Sequence, residues 1–589
     1  MLFGKHFRKY YLKYAISFLV GVTCLILLDW IQLEIPIMMG KIINIFKEFD
    51  VTDGSYDAQI YGYVKDILIF VVIITIGRFA WRYLLFGASR KIEFDLREKM
   101  FDHSTQLSQD YYSQGKTGGM MTYFINDLET VRQAYGMGLL MLVDGIVLTV
   151  FVIYRMVQIN VMMTLLSAIP LLLVGVFMFF VRKRMELRFK IRQEAFEKLS
   201  DFTQESFTGI SVIKAYVRET KEALLFKTYS NDLKGKNYHF SKLMATINVA
   251  ISFTLSVVII TILALGSYLI ASNQLDAGEL TAYTSFFFTL MWPVMALSQF
   301  MSINSQAQAS AKRIEEFLDS EITVKDAKDV YEDIKPLTGE ITVKNLTFKY
   351  PDGDAPVLKD INFKIKQGQM VGILGRTGSG KSSLVDLLLR VYNAPKDSIF
   401  FDTYDMMKIP IKTLRDHIGY VPQDNFLFSE TILNNIGFSK ENPTLELAEQ
   451  AAKLSDVYQN IMDFPKQFEE VLGERGVTVS GGQKQRISIA RAIAKDPQIL
   501  ILDDSVSAVD TKTEEAIIEN LHRIRKNKTT IFIAHRISTV KKMDMIILLD
   551  EGNLIGVGTH KELLAQNPLY QDMVKRQELE QMVEEGEVI

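Results

Sequence analysis

The stretch Gly375-Arg376-Thr377-Gly378-Ser379-Gly380-Lys381-Ser382 decides how the C-terminal half of this chain is read. It follows the apolar run Met370 to Leu374 and opens a helix-like segment, Ser382 to Leu389. Strand, glycine loop and helix in that order are the context a phosphate-binding loop requires. The glycines let main-chain N–H groups wrap phosphates, Lys381 neutralises the β and γ groups, and Ser382, with Ser383 beside it, reaches toward Mg²⁺. The bland alternative is a flexible turn, but the pattern arises by chance in roughly two chains in a hundred of this length. ATP with Mg²⁺ is the expected ligand.

A second apolar strand, Ile499 to Leu502, ends in Asp503-Asp504. Further upstream, Val479-Ser480-Gly481-Gly482-Gln483 precedes a helix-like run, Lys484 to Ala494. That pentapeptide closely resembles the signature motif of ATP-binding cassette (ABC) proteins, and the order of the other motifs matches the family. The resemblance implies that Tyr350 stacks on adenine and that Gln423, in Val-Pro-Gln, senses Mg²⁺ and the membrane domain. Leu472 to Gly476 resembles the loop that ABC exporters place before the signature, Ser507-Ala-Val-Asp510 the D-loop, and His535 the switch histidine. Alone, that histidine reads more readily as a buried structural residue.

A chain of 589 residues is too long for one ordinary domain. Outside the cassette the sequence holds six long apolar runs, at about 15–36, 67–88, 134–156, 161–181, 246–271 and 280–301. Each approaches the roughly 20 residues that span a bilayer. Lys5, Arg8, Lys9 and Lys13 precede the first run, and Arg182, Lys183, Arg184 and Arg188 follow the fourth, which puts both ends of the chain in the cytosol. The basic start without an early cleavage pattern reads as an anchor of the first span. The single cysteine, Cys24, falls in an apolar run and is expected to pack there. The expected fold is an α-helical polytopic membrane domain of six spans, residues 1–319, a charged linker at 320–338, and an α/β P-loop domain at 339–589.

The polar segments between spans two and three and between four and five resemble the intracellular loops of ABC exporters, where short coupling helices dock on the cassettes. Thr122 to Leu128 and Thr208 to Tyr216 are the candidates; plain solvated helices are the alternative. With one cassette and no internal repeat, the chain reads as a half-transporter. The resemblance implies a second half-transporter as partner, because each ATP lies between the Walker motifs of one cassette and the signature of the other. Asp503 is expected to hold Mg²⁺, together with Ser382 and Gln423. At Asp504 the family normally has a glutamate that orients the attacking water. Aspartate is shorter by one C–C bond, about 1.5 Å, and a 1 Å misplacement can lower a rate on the order of a hundredfold. A slow ATP site beside an intact signature resembles the degenerate-site subunit of heterodimeric exporters; a homodimer that tolerates aspartate is the other reading.

Inside the apolar runs, Arg78 and Arg82 lie four residues apart in span two, with Asp144 in span three and Asp29 and Glu34 in span one. Charges at such depth avoid lipid, so they form ion pairs or meet substrate. Span six carries Phe286, Phe287, Phe288, Met291, Trp292, Met295, Phe300 and Met301, with Pro293 expected to distort the helix. That surface suits either varied apolar ligands or ordinary packing. The expected activity is ATP-driven export of a small amphipathic compound across the bilayer; a lipid flippase and a regulatory membrane ATPase are rivals. The net charge of −3 gives no support for nucleic-acid binding.

Overall fold

The computed structural model describes residues 4–47, 55–113, 117–473, 476, 478–505, 510–534 and 536–584. The chain divides into two units: Met1–Asp102 with Gly119–Asp319, and His103–Gly118 with Ser320–Ile589.

The first unit is helical. Three of its helices, Ser55–Gln106, Val161–Thr208 and Glu219–Ala271, have 52, 48 and 53 residues. At 1.5 Å per residue each exceeds twice the roughly 30 Å of hydrocarbon in a bilayer, so all three run well beyond the membrane. Among the described residues, five segments are long and apolar enough to cross a membrane: Ala15–Phe46, Asp57–Gln106, Gly119–Ile159, Glu219–Ala271 and Ala277–Leu318. The fourth expected span opens the helix Val161–Thr208, where Val161–Pro170 is apolar.

Two of these segments break near a proline. Ala15–Gln32 and Glu34–Lys47 are separated at Leu33, ahead of Pro36, and Ala277–Thr289 and Met291–Leu318 at Leu290, ahead of Pro293. Each proline sits in the first turn of its new helix, where the missing N–H has no intrahelical partner to lose. The two proline-bearing segments also touch closely: a Cβ on Gly40 would stand 2.4 Å from Gly278 O, and Gly278 N donates to Asn44 Oδ1 at 2.7 Å. Small residues let the two backbones approach this far. Cys24 packs against the next helix, its Sγ 3.7 Å from Gly77 O.

Among the described residues the second unit has ten strands: β1 Ile341–Phe348, β2 Leu358–Ile365, β3 Met370–Gly375, β4 Ile399–Phe401, β5 Tyr404–Asp405, β6 Ile418–Val421, β7 Ile499–Asp503, β8 Thr529–Ala534, β9 Met545–Asp550 and β10 Asn553–Gly558. One sheet has the order β2-β1-β4-β5 and the other β10-β9-β3-β8-β7-β6. In the larger sheet β10 runs antiparallel to β9, and the other described pairs are parallel. Strands β3, β7 and β8 are buried along their whole length, as parallel strands covered on both faces must be. Successive side chains alternate between two cores. Ile373, Ile501 and Ile533 face one cluster, and Leu374, Leu502 and Phe532 the other, which is the period of two expected of a strand.

Residues 320–338 form no regular element, yet they are stitched down. Tyr331 N donates to Lys408 O at 2.9 Å and Val324 N to Ser108 Oγ at 2.9 Å. The segment His103–Gly118, read from sequence as part of a loop between spans, belongs with this unit.

The first candidate coupling helix, Thr122 to Leu128, differs from its expectation. It is not a separate short helix but part of a helical run that continues through Leu128–Gln133 into Leu139–Ile159 within the first unit. The cause is Asp127, which is buried and accepts from Ser310 Oγ at 2.7 Å and from Arg313 Nε at 2.9 Å. A buried carboxylate held by a guanidinium ties the stretch to the helix Met291–Leu318. The second candidate ends in a short exposed helix, Ile210–Ala215, between Gly209 and Tyr216.

Candidate functional site

The phosphate-binding loop leaves β3 at Gly375 and enters the helix Lys381–Leu388. A Cβ at Gly375 would stand 2.3 Å from Leu549 O. Gly378 and Gly380 have φ of 81° and 97°, the left-handed region that glycine occupies without steric cost. Lys381 folds back over the loop, its Nζ donating to Gly375 O at 2.8 Å and Arg376 O at 2.9 Å. Ser379 Oγ is buried with no hydrogen-bond partner among the described residues.

The acid pair stands at the same edge of the sheet. Asp503, the last residue of β7, is in register with Ile533 of β8, and Leu374 of β3 is in register with Ala534. The carboxyl ends of the three strands therefore coincide, which is where ligands bind in open α/β sheets. Asp503 is buried, and burial followed by the neighbouring Asp504 charge pushes its carboxyl up to about 6, against the opposing pull of Lys381. Burial pushes the Lys381 ammonium down, with Asp503 and Asp504 opposing. Asp386, on the helix after the loop, is also pushed up to about 6 by burial and then by Asp503.

Asp504 leaves the strand with φ of 44°, and its N–H donates to Ile533 O at 2.9 Å. Gln423 Nε2 lies 3.5 Å from Asp504 Oδ2, so these two expected site residues meet. Tyr350 donates its hydroxyl to Ser383 Oγ at 2.8 Å, and its ring stands edge-on to Tyr392 at 5.0 Å. Ser480 caps the helix Gly481–Ala494 in a reciprocal pair with Gln483, at 3.3 and 3.0 Å. His535, the stretch Ser507, Ala508 and Val509, and Glu474 and Arg475 of the loop before the signature lie outside the described residues.

One contact was missed from the sequence. Gln485, buried in the signature helix, donates from Nε2 to Asp504 O at 3.1 Å. It lies just past the signature pentapeptide, and no motif marks it.

The residues fit Mg²⁺ with a nucleotide. The loop backbone and the unpartnered Ser379 hydroxyl offer donors to phosphate, and Ser382, Gln423 and Asp503 offer the hard oxygens that Mg²⁺ takes. When bound, the ion neutralises charge on the phosphates. Lys381 would supply positive charge beside them.

Two family models match, one described as ABC transporter transmembrane region over residues 18–294 and one as ABC transporter over residues 358–507. The chain is 34% identical over 579 residues to the "Probable multidrug resistance ABC transporter ATP-binding/permease protein YheI" of Bacillus subtilis, covering 98% of this chain and 97% of that one. This chain belongs to the ABC transporter family. It is also 34% identical to the "Multidrug resistance-like ATP-binding protein MdlA" of Escherichia coli, over 99% of this chain and 97% of the relative. A solved bacterial Atm1-family ABC exporter with ATP bound shares its fold, with a TM-score of 0.73 over 97% of this chain and 98% of that one, at 23% identity. The transporter is thus a multi-pass membrane protein whose fused cassette is an ATPase coupled to transport.

The membrane charges fall at two places. Glu34 pairs with Arg155, as an ion-pair reading expects. Arg78 donates instead to Gln32 Oε1 at 2.8 Å, and Asp144 accepts from Trp292 Nε1. Span six divides between both readings: Phe286 and Phe287 are buried, while Phe288, Trp292 and Met295 are exposed.

Proposed function

We infer that the transporter is one half of a heterodimeric exporter of small amphipathic compounds, with both termini in the cytosol. The observation that carries this reading is Asp504. Its carboxyl reaches Gln423 only at 3.5 Å, in a position where the longer glutamate side chain would carry the same charge about 1.5 Å further. The site then holds ATP and hydrolyses it slowly, while the capped signature helix completes the partner's site. The multidrug names of both relatives support an apolar, varied cargo. The exposed Ile210, Val212 and Tyr216 at the tip of the second intracellular loop suit docking on a cassette.

A homodimer is the second reading, and the backbone favours it. Asp504 has φ of 44°, a region where aspartate is enriched among non-glycine residues, so a local cause for aspartate exists without any partner. Turnover separates the two. Purified alone in lipid nanodiscs, the chain should bind nucleotide but hydrolyse it slowly, and a partner with an intact Walker B glutamate should restore turnover. Asp504→Glu should raise turnover at this site on the order of a hundredfold. Fast turnover by the unmodified chain alone would establish the homodimer.

A further inference from the structure

The helix Val161–Thr208 carries the fourth apolar run, which ends at Val181, and its next eleven residues hold Arg182, Lys183, Arg184, Arg188, Lys190 and Arg192. At 1.5 Å per residue, Arg188 stands about 10 Å beyond the apolar run. A headgroup layer is about 5–8 Å deep, and exposed charges act over about 8 Å more at physiological salt. The cations up to Arg188 are therefore within reach of lipid phosphates.

Three of the six cations already have a partner. Arg182 Nε donates to Glu186 Oε1 at 2.7 Å, Lys190 Nζ lies 4.0 Å from Glu194 Oε1, and the Arg192 guanidinium lies 4.7 Å from the ring centroids of both Phe189 and Phe240. Lys183, Arg184 and Arg188 are exposed and have no ion-pair partner among the described residues. Arg184 and Arg188, four residues apart, lie on the same side of the helix and repel each other. An anion between them relieves that repulsion.

Packing decides which way this face looks. Phe189 meets Phe240 of the helix Glu219–Ala271, with ring centroids 6.1 Å apart. With 3.6 residues per turn, Lys183, Arg184, Leu187 and Arg188 each lie roughly 100° or more around the helix from Phe189, so the neighbouring helix leaves them uncovered. Leu187, among these cations, is exposed as well. Apolar side chains beside cationic heads suit the boundary between acyl chains and headgroups. None of these residues lines the cavity of about 540 Å³ that Asp29, Asp144 and Trp292 share.

A nucleic acid or an acidic protein carries the same charge as a phosphate surface. The basic face starts where the apolar run ends, however, and that is where a bilayer presents its phosphates. We propose that Lys183, Arg184 and Arg188 form a docking surface for anionic phospholipid headgroups, held as boundary lipid and not as cargo. Such binding does not depend on what the transporter exports.

The test is native mass spectrometry of the full chain, released from detergent micelles after titration with phosphatidylglycerol or phosphatidylcholine, which gives the association constant of the first bound lipid. Phosphatidylglycerol should bind about 25-fold more tightly, from two basic residues at about fivefold each. The variant carrying Lys183→Gln, Arg184→Gln and Arg188→Gln should bring the ratio close to one, and the variant carrying Lys183→Arg, Arg184→Lys and Arg188→Lys should keep it. Nucleotide binding and an unchanged helical melting profile check folding. Should the neutralised variant fail to fold, Glu186→Gln frees Arg182 from its pair and should raise the ratio about fivefold. Equal binding of the two lipids by the unmodified chain would overturn the proposal. So would a ratio unchanged in the neutralised variant or, where that variant does not fold, in Glu186→Gln.

Discussion

The acid pair of the cassette and the acid pair of the membrane cavity differ in how their charge is met. Asp503 and Asp504 are adjacent in sequence, at the end of β7, and Lys381 on the neighbouring loop opposes their charge. Asp29 and Asp144 come from separate helices, Ala15–Gln32 and Leu139–Ile159, and Arg78, whose charge opposes theirs, donates its hydrogen bond to Gln32. In both places a cation of the protein opposes the acids while its hydrogen bonds go to other groups. In the membrane cavity one carboxyl oxygen is left without a donor among the described residues. The built-in cation of the cassette pair, Lys381, is buried with it, whereas the membrane pair faces an exposed arginine, Arg78.

The sharpest way to break this contrast is to remove the built-in cation. Lys381→Ala should lower nucleotide affinity by about a hundredfold, measured with a fluorescent nucleotide on the chain alone. Retained affinity would mean that the loop backbone suffices and that Lys381 does not distinguish the two pairs.

A pH series sharpens it next. With the Asp503 carboxyl at about 6, a proton occupies the Mg²⁺ position as the pH falls below 6. Mg²⁺-dependent nucleotide affinity should then fall about tenfold per pH unit below that point and level off above roughly pH 7. Asp504→Asn removes the neighbouring like charge, so the break should move to lower pH. An unmoved break would leave burial as the whole cause.

Smaller effects test the supports of each pair. Gln485→Leu removes the donor to Asp504 O and should cost about 1 kcal/mol, read as a severalfold change in turnover of the assembled transporter. Trp292→Phe removes the donor to Asp144 and should lower the thermal midpoint by about 1–2 °C, for about 1 kcal/mol. No change in melting would mean that Asp144 finds another donor and that the membrane pair is as well provided as the cassette pair.

Much of the architecture was legible because its causes are local. The order of strand, glycine loop and helix around Lys381 and the long apolar helices each follow from preferences that act within a few residues, and both are seen in the fold. The placement of Asp127 was not legible. Its burial against Ser310 and Arg313 depends on residues 183 and 186 positions away, so the stretch around it read as a short coupling helix in a polar segment. Gln485 was missed for the same reason, since its partner is the main chain at the end of a strand.

By itself the sequence determined the family, the two-part architecture, the nucleotide loop and the shortened acid at Asp504, because each is written in contiguous residues whose backbone and hydrophobic preferences are short-ranged. Only the tertiary structure decided that residues 103–118 belong with the cassette unit, that Gln423 and Gln485 converge on Asp504, and that Asp29, Asp144 and Trp292 share one cavity. Those depend on packing between helices and strands remote in sequence, where burial and the supply of hydrogen-bond partners are set by the whole fold.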